Sequence, residues 1–323
     1  MLTSLIRSRT ILGFLLSYII AAFILLTTWL LLGSTAVQND LLFAHWAFSW
    51  LENSSAIIPL LCLSLAAVGV IFSRIRFREV RNILGNTNLT MLAMVCLLSV
   101  QARPLFTRPD ILIASLILVA LFMLLLVTYK REQALSEIFH TGLLLGLASL
   151  FVGQSILLLI SVAFSLFILR TGNWREWAVF LLGVAMTAVF VMLFAIWSEN
   201  PLLAFQRIVQ TAWVGSFSTD RLSAGNIVLL VLVVFSVSSL FRDITIGTVN
   251  ERNITLVNVS WIIGATLMVL VLGLGWQSGI ILAAFPLSSF ISKTIEQNTR
   301  WWIQDLMLIL LLSAPILSIL LPL

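Results

Sequence analysis

The side chains able to do chemistry in this sequence are few, and most fall in three loops. In the first loop, Asn39 and Asp40 precede the stretch LLFAHWAFSWLE, where His45, Ser49 and Glu52 recur at helical spacing among apolar neighbours. That pattern describes a short helix, about 41–52, lying in a membrane interface with a narrow polar stripe. Asp40 stands where a side-chain oxygen caps a first helical turn. Beside such a helix it is also the candidate catalytic carboxylate, as a base toward an acceptor hydroxyl or as a ligand for a divalent metal.

The second loop, ARPLFTRPD, carries Arg103 and Arg108, each followed by proline. Proline stiffens the loop, and two guanidinium groups held at a surface suit a phosphate or pyrophosphate. Snorkelling of the same arginines to lipid phosphates is the plainer reading. The third and longest loop, Ser198 to Asn226, adds Glu199, Arg207, Asp220 and Arg221 among aromatic residues. Arg207 and Arg221 join Arg103 and Arg108 as candidates for binding phosphate or lipid. Cys62 and Cys96 sit inside apolar runs, and His45 and His140 lie far apart, so no Cys/His ligand spacing exists. No protein metal site and no cofactor is evident, apart from the divalent ion that Asp40 would suit.

The elements that must position these loops are apolar helices. Of the 323 residues, 61% are hydrophobic and 10% charged, with a mean hydropathy of +1.13. A water-soluble domain is excluded, because there about a quarter of residues are charged. The net charge of +5 does not signal nucleic acid, since Lys and Arg occur in short groups between apolar runs. Runs able to cross ~30 Å of hydrocarbon fall at about 11–33, 57–73, 84–101, 111–128, 178–197, 227–241, 254–275 and 303–321. The stretch 138–170 is roughly 50 Å long as one helix. Gly153, Gln154 and Ser155 at its middle therefore predict a hairpin of two spans, 138–153 and 155–170, with Gln154 facing water or headgroups. Likewise Trp276 to Gly279 separate 254–275 from a short span, 279–292.

Charge distribution tests this division. With an inside N-terminus, the inner segments hold Arg7, Arg9, Arg74, Arg76, Arg78, Arg81, Lys130, Arg131, Arg170, Arg175, Arg242, Arg252, Lys293 and Arg300. These are 14 of the 18 positive residues, leaving Arg103, Arg108, Arg207 and Arg221 outside. Reading 138–170 as one span gives 10 against 8, which is no bias. The expectation is one all-α integral membrane domain over 1–323. It is a polytopic transmembrane bundle of about eleven spans, with a cytoplasmic N-terminus and a periplasmic C-terminus, in a bacterial inner membrane.

The run from Phe139, FHTGLLLGLASLFVGQSILLLISVAFSLFILRTGNWREWAVFLLG, and AAFPLSSFISKTIEQNTRWWIQDL near the C-terminus resemble a Bacteroidetes family of roughly 300-residue polytopic inner-membrane proteins with no assigned activity. The middle region also resembles the membrane core of the C-fold glycosyltransferases, which use polyprenyl-phosphate-linked sugars. There a Gly-Leu-Ala hairpin follows a Pro-Asp segment, and a catalytic Asp follows the first span. GLLLGLASL at 142–150, Pro109-Asp110 and Asp40 match in order and rough spacing. The resemblance implies sugar transfer from a polyprenyl phosphate at the periplasmic face, with Asp40 as base or metal ligand and the arginines neutralising the leaving phosphate. A non-catalytic scaffold of an envelope assembly or secretion complex, and a lipid or small-molecule transporter, are the alternatives. The partners expected are membrane lipids, a polyprenyl-phosphate lipid among them.

The topology makes a direct prediction. Cysteines introduced singly near Asn53 and Asn200 react with an impermeant thiol reagent added to the periplasm, and one near Asn250 does not. Labelling near Asn250 in intact cells contradicts the eleven-span arrangement.

Overall fold

The computed structural model describes residues 11–32, 69, 87–101, 109–129, 134–170, 173–197, 223–272, 275–298 and 300–321. Within them the chain forms eleven α-helices: α1 (Ile11–Leu32), α2 (Thr87–Val100), α3 (Pro109–Thr128), α4 (Leu135–Phe151), α5 (Leu158–Leu169), α6 (Trp174–Trp197), α7 (Ala224–Ile246), α8 (Val249–Leu272), α9 (Trp276–Leu282), α10 (Ala284–Gln297) and α11 (Trp301–Leu320). Among the described residues, α3, α6, α7, α8 and α11 are long and apolar enough to cross a membrane, and α9 with α10 makes a sixth if counted as one span. The interfacial helix expected at 41–52 lies outside the described residues, as does the 57–73 span apart from Gly69.

Helix α2 is the axis of the bundle. Every residue from Asn88 to Gln101 is buried, with α1, α10, α11, α9 and α7 packed around it. Helix α6 is the opposite case. Only Phe180, Gly183 and Thr187 are buried among its described side chains, while Leu181, Leu182, Val189, Phe190 and Leu193 are exposed. An apolar surface of that extent is incompatible with water and is ordinary against lipid tails.

Contacts at the helix ends fix the directions of the helices. The Gln101 end of α2 meets the start of α7, where Gln101 Nε2 donates to Asn226 Oδ1 at 2.5 Å. There too the Ala224 N–H donates to the carbonyl of Leu321, just beyond α11, at 3.2 Å. At the opposite end Asn253 Nδ2, near the start of α8, donates to the hydroxyl of Tyr129, just past α3, at 3.4 Å. From α2 onward the described helices thus alternate between a Gln101 end and a Tyr129 end, with α9 and α10 counted together.

The stretch 138–170 follows the same rule. The chain breaks at Val152, passes through a tight 3₁₀ turn at Gly153–Leu157, and resumes as α5. Helices α4 and α6 run parallel, because Gly142 lies against Phe180 and Gly183, and Gly146 against Thr187. Glycine lets the two backbones touch: a Cβ at Gly142 would strike the Phe180 carbonyl. Since α4 and α6 point the same way, α5 between them points the other way. Its serines secure it to α8, with Ser161 Oγ donating to the Ser260 carbonyl at 2.9 Å and Ser165 Oγ 3.1 Å from Ser260 Oγ. The turn differs from the sequence expectation in one respect. Gln154 and Ser155 are buried, because the turn packs against α8 instead of opening to water or headgroups.

Trp276 to Gly279, expected to separate two spans, instead open α9, and the chain bends by 69° further on, between α9 and α10 at Ala283. The cause of the bend is local: Pro286 has no N–H, so the Leu282 carbonyl loses its donor four residues on. Aromatic packing brackets the bend. Phe122 lies 5.2 Å from Trp261, edge to face, and 5.1 Å from Phe285. Beyond it, α10 is tied to α2 through Thr90 Oγ1 and Ser292 Oγ at 2.8 Å, and to α8 by Ser289 Oγ donating to Asn258 Oδ1 at 3.4 Å.

The parallel α4–α6 contact predicts the effect of filling it. Gly142→Leu forces a side chain into the Phe180 backbone, and destabilisation of about 1–3 kcal/mol is expected from overpacking. Ser149→Ala, whose hydroxyl bonds only within α4, is the matched control. Thermal unfolding in detergent distinguishes them, and an unchanged melting temperature for Gly142→Leu contradicts the packing.

Candidate functional site

The two ends of the bundle carry different chemistry. All six Lys and Arg residues among the described residues, Arg170, Arg175, Arg242, Arg252, Lys293 and Arg300, lie toward the Tyr129 end. One is in a defined ion pair, Arg170 with Glu176 at 2.7 Å, which ties the end of α5 to the start of α6. Another, Arg252, donates from Nε to the Gly247 carbonyl at 3.0 Å.

At the Gln101 end stands a buried, uncharged polar group with one carboxylate. Helix α2 ends at Gln101, which follows the last apolar residue of the run and turns inward instead of outward. Helix α7 begins after Ser223, whose Oγ accepts the Asn226 backbone N–H at 3.4 Å, as a capping residue does. Asn226 Nδ2 also donates to Ser223 Oγ, at 2.9 Å, which leaves Oδ1 for Gln101. Helix α3 opens with Pro109 and Asp110. Proline suits the first helical position, and a carboxylate complements the positive end of the helix dipole. Asp110 is nonetheless buried, and it is the one acidic residue at this end among the described residues.

The sequence-derived candidates Asp40, Arg103, Arg108, Arg207 and Arg221 lie outside the described residues. Their chain neighbours do not. Gln101 precedes Arg103 by two residues, Asp110 follows Arg108 by two, and Asn226 follows Arg221 by five. The Gln101–Asn226 hydrogen bond therefore joins the segment entering the second loop to the segment leaving the third. Sequence reasoning passed over Gln101 and Asn226, because a polar residue at the edge of an apolar run reads as water-facing. No signal in a single sequence pairs residues 125 positions apart.

Among the described residues, no group of three or more His, Cys, Asp or Glu comes together as a metal site would require. Nothing described beside Asp40 bears on a metal there. Compared with known proteins, the chain matches no family model, no curated protein and no solved structure.

A buried amide pair has a recognisable energetic signature. Asn226→Leu leaves the Gln101 amide without its partner and is expected to cost about 1–3 kcal/mol, whereas replacing both residues by Leu recovers much of that loss. Thermal unfolding of the two single variants and the double variant measures the coupling. Strict additivity shows that the pair does not hold the two segments together.

Proposed function

We propose that this protein is a multi-pass protein of a bacterial inner membrane, with about eleven spans, its Tyr129 end in the cytoplasm and its Gln101 end facing the periplasm. Grouping of the described basic residues at one end supports that orientation through the positive-inside rule. At the periplasmic end we assign it to cell-envelope biogenesis, as a C-fold-like glycosyltransferase that takes sugar from a polyprenyl phosphate.

The observation that supports this reading is the buried Gln101–Asn226 contact, which joins a residue two positions before Arg103 to one five positions after Arg221. The guanidinium groups of Arg103, Arg108, Arg207 and Arg221, the candidates named from the sequence, suit a phosphate leaving group, whose developing charge they would neutralise. In this scheme Asp40 takes the proton from the acceptor hydroxyl as its oxygen attacks the anomeric carbon. The sugar–phosphate bond breaks, and the polyprenyl phosphate leaves with the bonding electron pair. Alternatively, Asp40 would hold a divalent ion that supplies charge neutralisation, in place of acting as the base.

A transporter is the second reading, favoured by the bend of 69° in the buried α9–α10 helix. Discontinuous helices near mid-membrane mark substrate sites in many transporters.

Asp40 separates these readings. As a cap alone it is replaceable, because Asn and Ser cap about as well as Asp. As a base or metal ligand it is not, and Asp40→Asn and Asp40→Ser are each expected to lower activity by roughly 10² or more with the protein still inserted. Complementation of a deletion strain, scored by the glycan profile of its envelope with abundance checked by immunoblot, decides the matter. Full complementation by both variants contradicts the enzyme and returns the chain to the scaffold or transporter.

A further inference from the structure

At the Tyr129 end, the acids and the bases are treated differently. Glu176 pairs with Arg170 at 2.7 Å, Glu251 accepts the Thr248 N–H at 2.8 Å, and Glu137, Glu296 and Asp305 each have a partner. Three arginines are left over. Arg175 at the start of α6, Arg242 near the end of α7 and Arg300 just before α11 are exposed and form no ion pair among the described residues.

Each of the three stands beside an exposed aromatic ring. Trp174, next to Arg175, is 73% exposed, Phe241, next to Arg242, is 67% exposed, and Trp301, next to Arg300, is 70% exposed. That pairing suits a membrane interface, where the ring lies among headgroups and the guanidinium reaches a phosphate. The pattern also recurs at separate places. Helix α6 packs on α4, whereas α7 and α11 pack on each other and on α2. One protein partner calls for one patch, and a pattern repeated on separate helices calls for the bilayer that surrounds them all.

The turn between α7 and α8 is an independent observation. A capping box fixes it, with the Thr248 N–H donating to Glu251 Oε2 at 2.8 Å and the Glu251 N–H to Thr248 Oγ1 at 3.4 Å. Arg252 Nε donates to the Gly247 carbonyl at 3.0 Å and closes the turn further. So held, the turn displays Ile246 at 80% and Val249 at 68% exposure. Two branched aliphatic side chains presented by a fixed turn are out of place in bulk water and suit the boundary between headgroups and acyl chains.

We propose that the Tyr129 end is seated in an anionic headgroup layer, with Arg175, Arg242 and Arg300 each meeting the phosphate of an anionic phospholipid and the 246–249 tip immersed beside them. This does not depend on which ligand the Gln101 end takes.

The test uses the full chain in nanodiscs of phosphatidylglycerol and phosphatidylcholine in equal amounts, with native mass spectrometry counting the lipids that stay bound on release. The wild type is expected to retain phosphatidylglycerol over phosphatidylcholine by about fivefold or more, the scale of one arginine at an anionic surface. Arg175→Gln, Arg242→Gln and Arg300→Gln combined bring the ratio to about one, while Arg175→Lys, Arg242→Lys and Arg300→Lys combined keep the charge and leave it near the wild type. If the Gln combination does not insert, the single Gln variants are read instead, each expected to lower the ratio. A wild type without the preference, or Gln variants that keep it in full, overturns the inference. The tip is read separately, by a nitroxide attached at Ile246→Cys in a chain carrying Cys62→Ala and Cys96→Ala. In phosphatidylglycerol nanodiscs it is expected to be more accessible to oxygen than to a water-soluble nickel chelate. The reverse order puts the tip in water, overturns its immersion and leaves a protein partner as its occupant.

Discussion

Helix α2 is enclosed on every side, so each polar group along it must be answered from its own backbone or from a neighbouring helix. Neither water nor lipid reaches Asn88, Thr90, Ser99 or Gln101. In such surroundings a hydrogen bond is chosen less for its own strength than for the penalty of leaving it unmade. Two of these residues determine which helices surround the axis. Thr90 meets Ser292 and holds α10, and Gln101 meets Asn226 and holds α7. Because α10 and α7 are far apart in sequence from α2, these side chains fix the long-range arrangement that uniform apolar packing would leave loosely specified.

Small hydroxyl residues make the remaining contacts possible. Ser288, Ser289, Ser292 and Thr294 each return a hydrogen bond to the carbonyl three or four residues earlier in α10. Back-bonded in this way they are buried at little cost, and they are slim enough for α10 to approach α2 and α8 closely. The Ser161–Ser165–Ser260 contact does the same for α5 and α8. Serine in this protein is an adhesive between helices, and Gly142 with Gly183 is its counterpart in the α4–α6 contact.

Much of the helical plan was legible in the sequence, because hydrocarbon imposes length and polarity rules that act on each segment alone. The interruption at Gly153 was visible as a polar, glycine-containing break in an apolar run, whereas Trp276 to Gly279, read as a second break, form the start of α9. Positive charges required a reversal between Ile138 and Arg170, and the parallel α4–α6 pair independently requires one. What was hidden depends on pairing. Gln154 reads as a turn residue at a surface, yet its turn is packed against α8. The bend at Ala283 follows from Pro286, but its burial among α2, α3 and α8 does not. Of the candidate site, the sequence offered charged residues in loops, and the structure supplies the buried polar residues beside those loops. Asp110 belongs to both, since its Pro-Asp context was visible and its burial was not.

The resulting molecule is polarised along its axis, with described basic charge at one end and a buried carboxylate with amides at the other. A polyprenyl phosphate is proposed to bind at that second end. The most direct test is photocrosslinking of the membrane-embedded protein with a polyprenyl phosphate carrying a diazirine next to the phosphate, followed by peptide mapping. Labelled peptides spanning Gln101 to Asp110 and Arg207 to Asn226 are the predicted outcome, with labelling competed by unlabelled lipid. Competed labelling confined to α9 and α10, or to the basic Tyr129 end, contradicts the account.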